Sequence, residues 1–144
     1  MKLSSTLDID RQPEEVFAVI SDFSRNPEWQ RGMKSASWTS DPPIRVGSTY
    51  EQVARFLGRD VVTTFEVVAY EPGRSISIQS RESSFPITVT RLVEPLGPNR
   101  TRVRAEILGE PGRFFRLFGP LLRVMAERNV RGDYARLRQL LEAD

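Results

Sequence analysis

Residues Pro120–Asp144 read PLLRVMAERNVRGDYARLRQLLEAD. Placed at 3.6 residues per turn, Leu122, Met125, Ala126, Asn129, Val130, Asp133, Leu137, Leu140 and Leu141 share one broad stripe. Arg128, Arg131, Arg138, Glu127 and Glu142 take the other side, with Glu127 four residues ahead of Arg131 in the favourable orientation. The stretch predicts a long amphipathic helix that must bury its stripe against another layer. Asn129 and Asp133 fall near the centre of that stripe, one turn apart. An amide or carboxylate there is costly unless partnered. Either neighbouring backbone satisfies the two, or they face a cavity holding water or a ligand.

Upstream of the helix, Arg113–Phe118 (RFFRLF) is apolar but out of phase with it, and Gly119-Pro120 intervenes. A proline inside a helix kinks or breaks it. The expectation is a short turn or helical segment first, with Pro120 in the first turn of the long helix. The pairs Phe114-Phe115 and Leu117-Phe118 cannot all face one core, which leaves some for a pocket lid or a dimer contact.

The remaining chain reads mostly as strands. Lys2–Asp10 alternates apolar and polar residues and predicts an opening strand, broken by Arg11-Gln12-Pro13. Pro13-Glu14-Glu15 starts a helix, proline early and acids in the first turn, with Val16, Phe17 and Ile20 as its apolar face. Ser24 is placed to cap a second short helix through Asn26-Pro27-Glu28-Trp29, which Gly32 ends. Six strand-like runs follow: 33–39, 48–57, 61–70, 75–81, 85–93 and 101–108. Short turns join them, among them Glu71-Pro72-Gly73. Sequential strands on short turns imply an antiparallel meander.

Composition narrows the chemistry. The 144 residues fit a single domain, 1–144, large enough for a real core. The absence of cysteine and histidine removes disulfides, thiol nucleophiles, Cys/His zinc sites, histidine bases and Ser-His-Asp triads. The carboxylates lack metal-loop spacing, and no cofactor is expected. The first ten residues hold no apolar core of a signal peptide, and no apolar run is long enough to span a bilayer, so a cytoplasmic protein without membrane insertion is expected. Net charge is +2, yet acids lead eleven to eight up to Pro72 and bases lead thirteen to eight from Gly73 onward. Such an imbalance marks either an anionic partner or a solvated arginine face. No nucleic-acid-binding fingerprint is present, and no nucleic-acid partner is expected.

The order strand, two short helices, six strands, long helix resembles the START-like helix-grip (SRPBCC) superfamily, an α+β fold. The chain is more narrowly similar to the bacterial polyketide cyclase/dehydrase and lipid-transport family. The residues carrying the resemblance are Pro13-Glu14-Glu15-Val16-Phe17, Pro27-Glu28-Trp29, Val46-Gly47-Ser48-Thr49-Tyr50, Tyr70-Glu71-Pro72-Gly73-Arg74 and Pro120-Leu121-Leu122. Together they span essentially the whole chain. The resemblance implies a curved antiparallel sheet wrapped around the long C-terminal helix, enclosing a pocket for an apolar ligand. Its members include lipid and hormone carriers and aromatase/cyclases, so it sets a shape and leaves function to the site.

Strand alternation assigns the walls of such a pocket. Tyr50, Gln52, Ala54 and Phe56 point inward from their strand, as do Val61, Thr63, Phe65 and Val67, then Ile76, Ile78 and Ser80, then Thr101, Val103, Ala105 and Ile107. The run 85–93 is ambiguous, because Arg91 shares parity with Ile87 and Val89. An inward face would make Arg91 a buried cation facing the helix that carries Asp133. The candidate ligand-binding set is Trp29, Tyr50, Phe56, Phe65, Phe115, Phe118 and Met125 as apolar wall, with Gln52, Thr63, Arg91, Asn129 and Asp133 as orienting polar groups. The same pattern also fits a filled core in which the aromatics only pack. Without histidine, Asp133 and Tyr50 are the candidates for proton transfer, joined by Glu51 or Glu106 if the strand parity is reversed. Burial would raise the pKa of Asp133, and an Arg91 partner would lower it. Three functions fit: a binding protein for a lipid, isoprenoid or polyketide-like molecule; an aromatase/cyclase- or dehydratase-type enzyme on such a ligand; or a module whose arginine-rich helix face binds an acidic protein or RNA. A monomer or homodimer is expected.

Overall fold

The computed structural model describes residues 2–56, 58–81, 86–109 and 113–143, with the backbone alone at 56 and over 113–123. Strand β1 (Lys2–Ile9) is followed by helix α1 (Pro13–Ile20) and a 3-10 turn (Phe23–Glu28). Then come β2 (Met33–Trp38), β3 (Thr49–Phe56), β4 (Arg59–Glu71), β5 (Ser75–Arg81), β6 (Ile87–Gly97), β7 (Arg100–Gly109) and helix α2 (Arg113–Glu142). Among the described residues the seven strands form one curved antiparallel sheet in the order β1-β7-β6-β5-β4-β3-β2. The element order and the meander match the sequence expectation, with β1 closing the sheet against β7 from Lys2 opposite Leu108 to Ile9 opposite Thr101.

Local chemistry explains the elements. Pro13 stands in the first turn of α1 with Glu14 and Glu15 beside it, and Val16, Phe17, Val19 and Ile20 are buried. The 3-10 turn is capped by Asp22, whose carboxylate accepts from the Ser24 backbone N–H at 3.1 Å and from its hydroxyl at 2.5 Å. Asp22 is therefore the cap where Ser24 was expected, because the turn begins one residue before Ser24. The β4–β5 turn closes with the Arg74 N–H donating to the Glu71 carbonyl at 2.9 Å. Pro72 and Gly73 take its two central positions, Gly73 at φ +78°, where a side chain would be strained.

Three expectations are corrected. Helix α2 runs unbroken from Arg113 through Gly119-Pro120 to Glu142. A proline removes one helical hydrogen bond and distorts the axis without obliging the helix to end. Strand β6 extends through Pro95 to Gly97, with its register shifting between those residues. A bulge is where a sheet tolerates proline. Val61 is 43 % exposed: alternation fixes a side of the sheet but not whether that end of the strand is covered.

The buried layer is one cluster. Ile9 of β1, the apolar face of α1, and Phe23 and Trp29 pack with Tyr50, Phe65, Val67, Ile76, Ile78, Val93, Val103 and Ala105 of the sheet, and with Tyr134 and Leu137 of α2. Helix α2 runs against β1, and α1 lies over β6 and β7. The opposite face of the sheet carries ion pairs between strands. Asp8 accepts from Arg102 at 2.8 Å, Lys2 lies 3.5 Å from Glu106, and Arg104 bonds Glu94.

Candidate functional site

Helix α2 sets the geometry through its phase. Its buried line is Val130, Tyr134, Leu137 and Leu141, of which Tyr134 and Leu137 are almost fully enclosed. Asn129 and Asp133 were expected at the centre of the buried stripe, but Asn129 is exposed and Asp133 half-buried at its edge. The stripe was drawn without Tyr134. Admitting that ring rotates the buried face and moves both polar residues to the rim. Met125, expected in the apolar wall, is 43 % exposed beside them.

That rim is one wall of an open cleft of about 630 Å³. Met125, Arg128, Asn129, Gly132, Asp133 and Arg136 line it from α2, and Arg31 and Gly32 face them from the segment between the 3-10 turn and β2. Two bonds hold the walls at this spacing. Asp133 Oδ1 accepts from the Arg31 backbone N–H at 3.3 Å, and Arg136 Nε donates to the Trp29 carbonyl at 3.1 Å. Arg136 also bonds Asp133 one turn back along the helix. Burial pushes the Asp133 carboxyl above the usual carboxylate range, against the pull of the Arg31 amide and the Arg136 guanidinium. Arg91, the anticipated partner of Asp133, bonds elsewhere.

Arg91 resolves the ambiguity of β6: it points inward and is 1 % exposed. Its Nε donates to the Tyr134 hydroxyl at 3.1 Å, and its Nη1 to the Ile20 carbonyl at 3.1 Å and the Asn26 side-chain oxygen at 2.9 Å. The guanidinium lies 4.2 Å from the Phe23 ring centre and 4.7 Å from that of Trp29. Among the described residues no carboxylate pairs with it, so neutral acceptors and ring faces alone hold a buried cation. Trp29 meets Tyr134 edge-on at 4.9 Å. Trp29 lies two residues before the cleft residue Arg31 and Tyr134 one after Asp133, and both touch Arg91, Trp29 through its ring and Tyr134 through its hydroxyl. Trp29 Nε1 and Gln30 Oε1 are buried without a hydrogen-bond partner among the described residues.

The other anticipated residues lie deeper in the sheet. Tyr50 is stacked between Phe23 at 5.2 Å and Phe65 at 5.3 Å, with Trp38 edge-on at 5.5 Å. Its hydroxyl donates to Gln52 at 3.3 Å, and burial drives the phenol's pKa upward, so it stays protonated at neutral pH. Gln52 and Thr63 are half-buried cross-strand partners. The side chains of Phe56, Phe115 and Phe118 lie outside the described residues, as does that of Leu122. The structure thus brings Asn129, Asp133 and Met125 together at the cleft, while Arg91, Trp29, Tyr50 and Phe65 belong to the buried core, with Gln52 and Thr63 half-buried beside them on β3 and β4.

Sequence reasoning missed Arg31, Arg128 and Arg136 at the cleft and Asn26 and Tyr134 around Arg91. One signal was available: Met125, Asn129, Gly132 and Arg136 fall at i, i+4, i+7 and i+11, a helical line with a gap at its glycine. Among the described residues no group of three or more acidic side chains is arranged to hold a metal ion, and no helix is long and apolar enough to cross a membrane.

Solved structures share this architecture. A Thermus thermophilus protein superposes with a TM-score of 0.83 at 20 % identity, covering 99 % of this chain and 98 % of its own. A START superfamily protein from Mycobacterium smegmatis gives 0.80 at 17 % identity, covering 99 % and 97 %. The Zhui aromatase/cyclase from Streptomyces sp. R1128 gives 0.78 at 13 % identity, covering 99 % and 93 %. At these identities the likeness concerns the helix-grip fold. The sequence itself matches the model of one family over residues 1–142, and the chain belongs to that family, polyketide cyclase/dehydrase and lipid transport.

Proposed function

We propose that the protein binds a hydrophobic small molecule between the sheet and α2, entering by the cleft between residues 31–32 and the helix. Family and fold favour a hydrophobic ligand or cyclase/aromatase-type chemistry. The observation that carries the binding reading is the cleft itself. Its roughly 630 Å³ lies within the range of small-molecule sites. Trp29, two residues before its lining residue Arg31, and Tyr134, next to Asp133, belong to the buried aromatic cluster. Native mass spectrometry of the protein purified from its own host, followed by denaturation, tests this. A stoichiometric apolar molecule released on unfolding is the expected result. A cleft-filling Gly132→Phe variant should carry less of it, and equal loading would refute the entry route.

One observation supports an enzymatic reading. Asp133 stands at the cleft with its carboxyl pushed above the usual carboxylate range, the direction a general acid needs. On that reading Asp133→Asn keeps ligand affinity within a few-fold and abolishes turnover. Unchanged turnover would leave the protein a carrier.

A further inference from the structure

We propose that the ligand is an amphiphile with an anionic head, a carboxylate or phosphate, which Arg31, Arg128 and Arg136 hold at the mouth of the cleft. This rests on the binding reading above and specifies its substrate class. Three of the cleft's lining residues are arginines and one is an acid, Asp133, which Arg136 and the Arg31 backbone N–H already engage.

The arginines here differ from those on the outer face of the sheet. There Arg81, Arg100, Arg102 and Arg104 lie against Glu66, Asp8, Asp10 and Glu94, so each charge is answered within the protein. At the cleft, no described residue forms an ion pair or hydrogen bond with the Arg31 or Arg128 side chain, and the Arg31 charge acts on Asp133 only through space, lowering its pKa. Arg136 spends Nε on the Trp29 carbonyl and Nη2 on Asp133. Its Nη1 makes no hydrogen bond to a described residue and lies over Gly132, 3.7 Å from where a Cβ would stand.

Three guanidinium groups around one concavity, answered by a single engaged carboxylate, leave a positive potential that attracts an anion. Guanidinium forks match the paired oxygens of carboxylate and phosphate. The Asn129 amide, on the same wall, adds a neutral donor. Met125 supplies the apolar contact on that wall, so the site accepts a charged head joined to an apolar body.

Isothermal titration calorimetry with laurate, dodecyl phosphate and uncharged dodecanol separates head from tail. The anionic probes should bind at least tenfold more tightly than dodecanol, an advantage that shrinks with added salt. Whichever anion binds better identifies the head. In Arg31→Gln/Arg128→Gln the advantage should fall to within about threefold, while the thermal midpoint shows the fold intact. Equal binding of all three probes, or undiminished discrimination in the double variant, would overturn the anionic head and leave the apolar pocket standing. No binding of any probe would overturn the pocket reading and this inference with it.

Discussion

Arg91 and Asp133 show how far a residue's role depends on partners distant in sequence. Arg91 donates to groups 43, 65 and 71 residues away. Parity left it undecided because one arginine among apolar neighbours fits either face until its acceptors are known. Arg91→Ala strips three buried acceptors of their donor, each worth about 1–3 kcal/mol. We expect a loss of about 4 kcal/mol or more in urea unfolding, with Arg91→Met recovering only the cavity part. A loss below 1 kcal/mol would mean water replaces the guanidinium. Asp133 makes a prediction about pH. Its folded pKa lies above the ordinary 3.8, so the folded protein takes up this proton first. Its contribution to stability therefore grows as pH falls through the folded pKa toward 3.8. Asp8, Glu28 and Asp60 act oppositely: hydrogen bonds from Arg102, Arg25 and Lys34 lower their pKa values, so their contribution is lost as pH falls. Arg136→Gln removes two influences holding Asp133 down and should move its NMR titration midpoint further up; a downward move would contradict the geometry.

At the scale of elements, strand parity outside β6 and the periodicity of α1 were legible because burial on one face dictates both. The phase of α2 was not. Leu137 and Leu141 lie on the drawn stripe and are buried or half-buried, but Tyr134 completes the line, and its hydroxyl disguises a core residue until Arg91 is seen to donate to it. Gly132 lies mid-helix with room for a methyl group, the nearest atom being Arg136 Nη1 at 3.7 Å. Gly132→Ala should therefore stabilise the protein by about 1 kcal/mol, the helix-propensity difference, raising the melting temperature by roughly 2–4 °C. A lower melting temperature would show that the cleft wall cannot take the methyl. Asp22 joins two elements, capping the 3-10 turn and accepting from the Trp38 indole at 2.8 Å. Asp22→Ala should cost about 1–2 kcal/mol, against a few tenths for Ser24→Ala if the capping carboxylate dominates. Equal costs would return the cap to Ser24.

For the whole molecule, element order and turn chemistry carried the fold, since short turns between sequential strands allow few arrangements other than a meander. The site was less legible because its walls come from ends of the chain that meet only after the sheet has closed. The bonds from Arg31 to Asp133 and from Arg136 to Trp29 span 102 and 107 residues, and no local pattern encodes them. Those bonds also give the protein an internal optical reporter. Trp29 is 1 % exposed, its ring lies beside a guanidinium, and its carbonyl is held by a cleft arginine. Trp38 is the chain's other tryptophan. A Trp38→Phe protein would thus emit from a single indole, and a shift of its colour on adding a molecule that draws Arg136 away would report, without a label, that release of the carbonyl reaches the ring.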